Sequence, residues 1–389
     1  MEVGMERLEC SPDVAFTKEV VANGGVDLKK CYQCATCSVV CPLAPDKNPF
    51  PRKEMIWGQW GLKERLLADP DLWLCYACGD CSVQCPRGAK PGDVMGALRR
   101  TVVSYFSFPS FLAKAVQTQR WFLFLLLLPA VLFYVLLGLG QDFGWAEFAR
   151  VTFEDGGLKF DRFVPHWLIY SVFFPASAFV VLVFAVGGWR MWQKWAGNGD
   201  EPKQAGLMES LKDVILHRRF DKCDEGRWRF LGHLGIFYGF VFLAITTAAT
   251  IVMMYGFGQN PPLSFSPSHF IDGLLWKIIG NFGALILIVG TWLAIQKRLS
   301  AKDQISHFCD YAFLGVIMAI AVTGLGSEIL RLLATGTRSA GVGKAAYLTY
   351  YLHLVFVFYL IFYAPYSKMA HIVYRTLALV FARSRGRIA

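Results

Sequence analysis

The chain has 389 residues, of which 55% are hydrophobic and 17% charged, with 32 Phe, 12 Trp and a mean hydropathy of +0.40. This composition excludes a small disulfide scaffold, a disordered tail protein and an ordinary cytosolic enzyme, whose surface needs more charge. The formal net charge of +10 is uneven, at +2 over residues 1–120 and +8 over residues 121–389, so the excess belongs to the apolar part and a nucleic-acid partner is not expected.

Met1 to Lys29 contains acidic residues and no continuous apolar core, so no cleavable secretory signal is evident. Eight of the eleven cysteines then fall between Cys31 and Cys85, in CYQCATCSVVCP at Cys31–Pro42 and CYACGDCSVQCP at Cys75–Pro86. Both read C-x2-C-x2-C-x3-C-P. That spacing turns three thiolates onto one cubic [4Fe-4S] cluster, while the fourth cysteine reaches the other cluster. The expected sets are Cys31, Cys34, Cys37 and Cys85 for one cluster, and Cys75, Cys78, Cys81 and Cys41 for the second. Zinc would be satisfied by two C-x2-C pairs and does not ask for the trailing C-x3-C-P. With every iron capped by cysteine, the clusters relay electrons and leave no open position for a substrate. Cys10, Cys223 and Cys309 fit no ligand spacing and are read as free thiols.

Between the motifs, Leu43 to Leu74 includes a helix-like stretch over Arg52–Leu67. Phe106–Arg120 mixes aromatic residues with Lys114 and Arg120, and reads either as an interfacial helix or as a linker into the membrane. Six segments are then long and apolar enough to cross a bilayer at roughly 20 residues per crossing. They lie near Trp121–Gly140, Trp167–Trp189, Phe230–Phe257, Phe270–Ile295, Phe308–Leu330 and Ala345–Tyr366. Six in succession with almost no internal charge exclude buried helices of a soluble protein. The connections 190–229, 297–302 and 368–389 hold 9, 3 and 5 Lys or Arg, against 3, 0 and 3 in 141–165, 256–271 and 331–344. The bias predicts a protein of the cytoplasmic membrane with both termini and the cysteine-rich domain on the cytoplasmic side, where clustered thiols hold metal rather than disulfides. Leu207–Arg219 has a partly helical apolar spacing that suits packing beneath the soluble domain.

Histidines at membrane depth are functional candidates because polar groups are costly there. His217 lies in a charged connection and reads as a surface residue. His233 sits just inside the third crossing, where Gly232, Gly235 and Gly239 leave room for a flat ligand or a close neighbour. His353 and His371 are eighteen residues apart, about 27 Å and five whole turns if the helix runs unbroken, with Pro365 between them as a possible bend. That geometry fits one helix ligating two haems. Alternation of inside and outside pairs His233 with His371 on an inner haem b. It leaves His353 with an outer partner, His269 in preference to His166, so one or two haem b are expected. His166 and His307 otherwise read as hydrogen-bonded helix-end residues. A quinol pocket near the outer haem would draw on Asp272, Lys277, Glu328 and Arg331 with His269, although Glu328 and Arg331 are i,i+3 and suited to pair with each other.

The cysteine module, with its long gap, resembles the α-helical ferredoxin of succinate dehydrogenase iron–sulfur subunits and of the heterodisulfide reductase C family. The terminal stretch with His353 and His371 in PYSKMAH resembles the cytochrome b component of respiratory nitrate reductase, whose third-crossing counterpart matches at His233 but has a second histidine where Leu243 stands here. Nearly the whole chain resembles the QmoC family, the membrane subunits of quinone-interacting membrane-bound oxidoreductase complexes. The resemblance implies an all-α protein: a ferredoxin domain over 1–105, an interfacial linker over 106–120 and a six-helix transmembrane haem b domain over 121–389. It also implies two soluble flavin- and iron–sulfur-bearing partners of the heterodisulfide reductase A family. Electron exchange between menaquinol and adenylylsulfate reductase follows from it, with the opposite direction in some sulfur oxidisers. A membrane anchor that docks such partners without quinone turnover is the alternative. Disulfide reduction is not expected, because the chain has no Cys-Cys dipeptide.

Overall fold

The computed structural model describes residues 11–154, 157–197, 206–219, 227–258, 273–300 and 307–388. The first part of the chain carries α1 (Val14–Ala22), α2 (Thr36–Val39), α3 (Arg52–Gln59), α4 (Lys63–Leu67), α5 (Asp71–Leu74), α6 (Asp80–Val83), α7 (Pro91–Phe106) and α8 (Ser110–Val116). The second carries α9 (Phe122–Gly138), α10 (Trp145–Arg150), α11 (Phe160–Phe163), α12 (His166–Ala196), α13 (Leu207–Leu216), α14 (Arg227–Phe257), α15 (Leu275–Ser300), α16 (Phe308–Thr337), α17 (Ala340–Phe362) and α18 (Ala370–Ser384). The described residues form no β-strand, only an isolated bridge between Glu154 and Gly157. The protein is all-α, as expected.

Local chemistry sets the helices of the first part. Asp13 caps α1 by accepting from the Phe16 amide at 2.9 Å, and Phe16 and Val20, one turn apart, enter the core. The single helix expected over 52–67 is instead two. Gly61 interrupts it at φ +65°, where a Cβ would lie 2.3 Å from the Asp13 carbonyl oxygen, so the chain turns there and α4 starts in a new direction. Pro91 opens α7 at a position that needs no amide hydrogen. The buried face of α7, including Val94, Leu98 and Val102, packs into a core that also holds Met191 and Trp195 of α12 and Tyr374, Leu379 and Phe381 of α18. The cysteine-bearing part therefore shares an apolar core with the end of α12 and with α18.

Among the described residues, six helices are long and apolar enough to cross a membrane: Gln119–Gly138, α12, α14, α15, α16 and α17. The protein is a multi-pass membrane protein, and each expected crossing has its helix. Two readings that the sequence leaves open are decided here. Gly232, Gly235 and Gly239 of α14 do not open a ligand face. They meet Gly290, Leu287 and Gly283 of α15 so closely that a Cβ at Gly235 would lie 2.8 Å from the Gly290 Cα. Small residues here serve close backbone approach. The terminal helix is also not continuous. It stops at Phe362, passes through a short 3-10 turn over Ala364–Tyr366, and restarts as α18. Pro365 cannot donate the helical hydrogen bond at that point, so the five-turn register between His353 and His371 is lost.

The linker contains a short helix, α8, whose Ala113 is fully buried against Leu125, Tyr359 and Tyr366, while Phe111 stays exposed. The connection after α12 folds as α13, which lies against α18. Arg383 of α18 donates to Asp213 at 2.8 Å and to Ser210 at 3.2 Å.

Candidate redox centres

The two cysteine motifs fold alike. In each, the third and fifth positions are left-handed: Gln33 (φ 66°) and Ala35 (φ 70°) in the first, Ala77 (φ 50°) and Gly79 (φ 100°) in the second. Three of these four are not glycine, and such residues cost about 1 kcal/mol or more each unless the surroundings impose the shape. The result is a tight loop that turns successive sulfurs inward, followed by a one-turn helix, α2 or α6. One cavity is lined by Cys31, Cys34, Cys37 and Cys85, and a second by Cys41, Cys75, Cys78 and Cys81. The fourth cysteine of each motif thus reaches across to the other loop.

The donors in these cavities suit iron–sulfur clusters. None of the eight cysteines is in a disulfide. The sulfurs already accept hydrogen bonds, Cys31 from Gln33 Nε2, Cys75 from the Ala77 amide and Cys85 from the Ala89 amide, each at 3.3 Å. Among the described residues, no three His, Cys, Asp or Glu side chains close around a position for a single metal ion. Burial pushes the Cys37 thiol up to about 11 and the Cys41 thiol up to about 12, and raises Cys81 as well, whereas the Thr36 hydroxyl holds Cys34 below its ordinary value. Ligation must therefore release protons.

Residues 27–89 match the 4Fe-4S dicluster domain family. The E component of the dihydromethanophenazine:CoB–CoM heterodisulfide reductase of Methanosarcina barkeri is 24% identical over 195 residues, covering 49% of this chain and 71% of the relative. The C component of the H2:CoB–CoM heterodisulfide,ferredoxin reductase of Methanothermobacter marburgensis is 36% identical over 88 residues, 22% of this chain and 47% of the relative. A heterodisulfide reductase C-like protein of Archaeoglobus profundus is 32% identical over 114 residues, 29% of this chain and 61% of the relative. The chain thus spans less than two thirds of either C-type relative. No solved structure matches it. Residues 27–89 thus form a 4Fe-4S dicluster domain, and the chain is similar to C and E components of heterodisulfide reductases.

The two sites of the dicluster domain have different surroundings. Cys34 is exposed and Tyr32 beside it is 58% exposed, with the Arg87 guanidinium 5.7 Å from its ring. Cys75, Cys78 and Cys81 are buried, and Tyr76, the counterpart of Tyr32, is only 8% exposed. Arginines of three helices close over it. Arg375 of α18 donates to the carbonyls of Cys75 at 2.6 Å and Trp73 at 3.2 Å, with its guanidinium 4.1 Å from the Tyr76 ring. Arg99 of α7 donates to the Cys75 carbonyl at 2.9 Å and approaches its sulfur at 3.8 Å. Arg229 of α14 donates to the Tyr76 carbonyl. Burial pulls Arg375 down to about 10, still cationic at neutral pH.

Arg229 and Arg375 stand one helical turn from His233 and His371 respectively, so α14 and α18, two of the helices that carry candidate ligands, are fastened to the second site. The three haem-ligand candidates that are described share one feature. Nδ1 of His353 lies 3.1 Å from the Ile320 carbonyl and 3.2 Å from the Thr323 hydroxyl, and Nδ1 of His371 meets the Lys368 carbonyl. Nδ1 of His233 lies 3.1 Å from Nε2 of His217, whose own Nδ1 is 3.0 Å from the Ile215 carbonyl. The carbonyls require donors, which places the hydrogen of His353, His371 and His217 on Nδ1. With its own hydrogen so placed, Nε2 of His217 accepts from Nδ1 of His233. Each candidate therefore keeps its lone pair on Nε2, the form in which imidazole ligates metal. These residues fit a haem. Burial and the neighbouring Arg375 hold His371 well below the ordinary histidine value, hence neutral. His217 is not a surface residue: it is 5% exposed and takes the left-handed conformation that lets its ring turn under α14. Charge in its segment obscured it in the sequence.

The outer histidines are less gathered. His269 and Asp272, and likewise Cys10 and Cys223, lie outside the described residues. His166 opens α12 with its ring 6.5 Å from that of Tyr170, whereas His307 caps α16 at the opposite end of the bundle, beside Gly24 of the cysteine-bearing part. Space for His353 is made by Gly324, where a Cβ would lie 2.9 Å from the imidazole. Lys277, Glu328 and Arg331 do converge. Glu328 accepts from Lys277 at 3.0 Å and from two nitrogens of Arg331 at 3.0 Å each. Cys309, at 3.1 Å from the Gln117 carbonyl, is a thiol hydrogen-bonded to the linker.

Proposed function

We propose that this chain is the membrane component of a QmoC-type complex. It would take electrons from menaquinol through haem b at His233 and His371 and pass them through two [4Fe-4S] clusters to soluble flavin- and iron–sulfur-bearing partners of the heterodisulfide reductase A family. Adenylylsulfate reductase is the proposed terminal partner. Cys31, Cys34, Cys37 and Cys85 would hold the exposed cluster, and Cys41, Cys75, Cys78 and Cys81 the buried one. Bound clusters and haem supply one-electron chemistry, and the chain's own residues supply the order. The observation that carries this reading is the contact of Arg229 and Arg375, each one turn from a candidate haem ligand, with the backbone at Cys75 and Tyr76. It joins the membrane helices to the second site, while the exposed first site faces outward for a soluble partner. His353 would hold an outer haem, with His269 as its candidate partner. The positive bias of the inner connections supports a cytoplasmic-membrane protein with the cysteine sites inside.

The residues nominated for a quinol pocket support a second reading. Glu328 is saturated by Lys277 and Arg331, an arrangement that fastens α15 to α16 and suits a membrane anchor that docks soluble partners without quinone turnover. One experiment separates the two. A menaquinol analogue added to the anaerobic purified complex is expected to reduce haem b and then the iron–sulfur signal, read by visible spectra and low-temperature EPR. Haem that stays oxidised, in a complex reducible by dithionite, supports the anchor and ends the quinol reading.

A further inference from the structure

A cation next to a redox site stabilises the state that carries more negative charge, and it does so more strongly when water is excluded. The second cysteine site has three such cations, Arg99, Arg229 and Arg375, converging from α7, α14 and α18 on the Cys75–Tyr76 peptide. Arg375 is held by two carbonyls and the face of the Tyr76 ring, and Arg99 by the Met95 and Cys75 carbonyls and the Cys75 sulfur. Neither Arg375 nor Arg99 has a carboxylate among these partners, and Asp80, which lines the second cavity, is partly exposed to solvent. At the first site two arginines, Arg52 and Arg87, line the cavity, and both are exposed and screened by solvent.

We propose that this arginine clamp gives the second cysteine site a higher reduction potential than the first, with Arg375 as the positioning residue that sets the difference. The proposal rests on the two-cluster reading of the cysteine sites. Reduction adds one electron to a site, with no bond made or broken. Burial alone disfavours the added negative charge, so the sign is decided by the guanidiniums of Arg99 and Arg375. The site fastened to the membrane helices is then the natural acceptor from them, and the exposed site is the donor to a soluble partner.

The test is a mediated redox titration of the full chain in its complex, followed by low-temperature EPR, with dithionite as reductant. The wild type is expected to show two separate midpoints. Arg375→Met should lower the higher one by at least a tenfold change in the oxidised-to-reduced ratio, 59 mV for a one-electron couple. Arg375→Lys should restore most of that shift, and Arg87→Met should leave the higher midpoint in place. If Arg375→Met does not retain iron, Arg99→Met carries the same expectation, because its guanidinium lies on the same Cys75 carbonyl and also approaches the Cys75 sulfur. The proposal is overturned if the higher midpoint does not move, if both midpoints move together, or if Arg375→Lys behaves like Arg375→Met. A wild-type complex with too little iron for two clusters removes the underlying reading, whereas full iron with unmoved midpoints removes only the clamp.

Discussion

The motifs at Cys31–Pro42 and Cys75–Pro86 share their cysteine spacing, their tyrosine and their pair of left-handed residues, yet one is open to solvent and the other is enclosed. Tyr32 lies under an arginine from its own domain, and Tyr76 under an arginine from α18, about 300 residues along the chain. The same loop therefore serves two purposes according to what packs on its tyrosine. Ligand spacing sets what a site can hold, and the covering elements set which partner it can reach.

The largest test of this contrast concerns the crossed ligands. Cys85→Ser is expected to abolish the exposed site and Cys41→Ser the buried one, each removing about half the iron and leaving the other site's EPR signal. Loss of the opposite signal in either variant would break the crossed assignment. Next in size, His371→Ala should remove the low-spin haem spectrum of the inner site while both iron–sulfur signals persist, since its helix touches the second motif through Arg375 and not through the ligand itself. A full low-spin spectrum in that variant would sink the pairing with His233.

A smaller effect separates the loops at their matched fifth positions. Gly79→Ala should cost about 1 kcal/mol in thermal or denaturant unfolding, because a left-handed alanine is strained, whereas Ala35→Gly should be neutral or slightly stabilising. Equal losses in both would show that the loops are not equivalent in backbone shape. The smallest is chemical. In iron-free chain, iodoacetamide at pH 8 should label Cys34 before Cys37 and Cys41, because Thr36 favours the Cys34 thiolate while burial pushes the other two thiols up to about 11 and about 12. The preference should narrow as pH rises and the raised thiols ionise.

The helical class, the six crossings and the two cysteine sets were legible in the chain, because each depends on local repetition: apolar runs of bilayer length and two-residue gaps between thiols. Three features were not. His217 looked like one polar residue in a charged connection, and only the approach of α13 to α14 shows it donating to Ile215 and accepting from His233. The Gly232, Gly235 and Gly239 face could take a ligand or a helix, and its occupant is α15. The eighteen-residue interval from His353 to His371 promised a common face, which the stop at Phe362 removes.

What the sequence determined by itself was the inventory: a 4Fe-4S dicluster domain attached to a multi-pass bundle, with histidines at its membrane levels. The tertiary structure alone decided how that inventory is wired. Arg229 and Arg375 act on Cys75 and Tyr76 across 153 and 300 residues of chain. No local pattern encodes such contacts, because they arise when α14 and α18 pack against the cysteine domain in one shared apolar core.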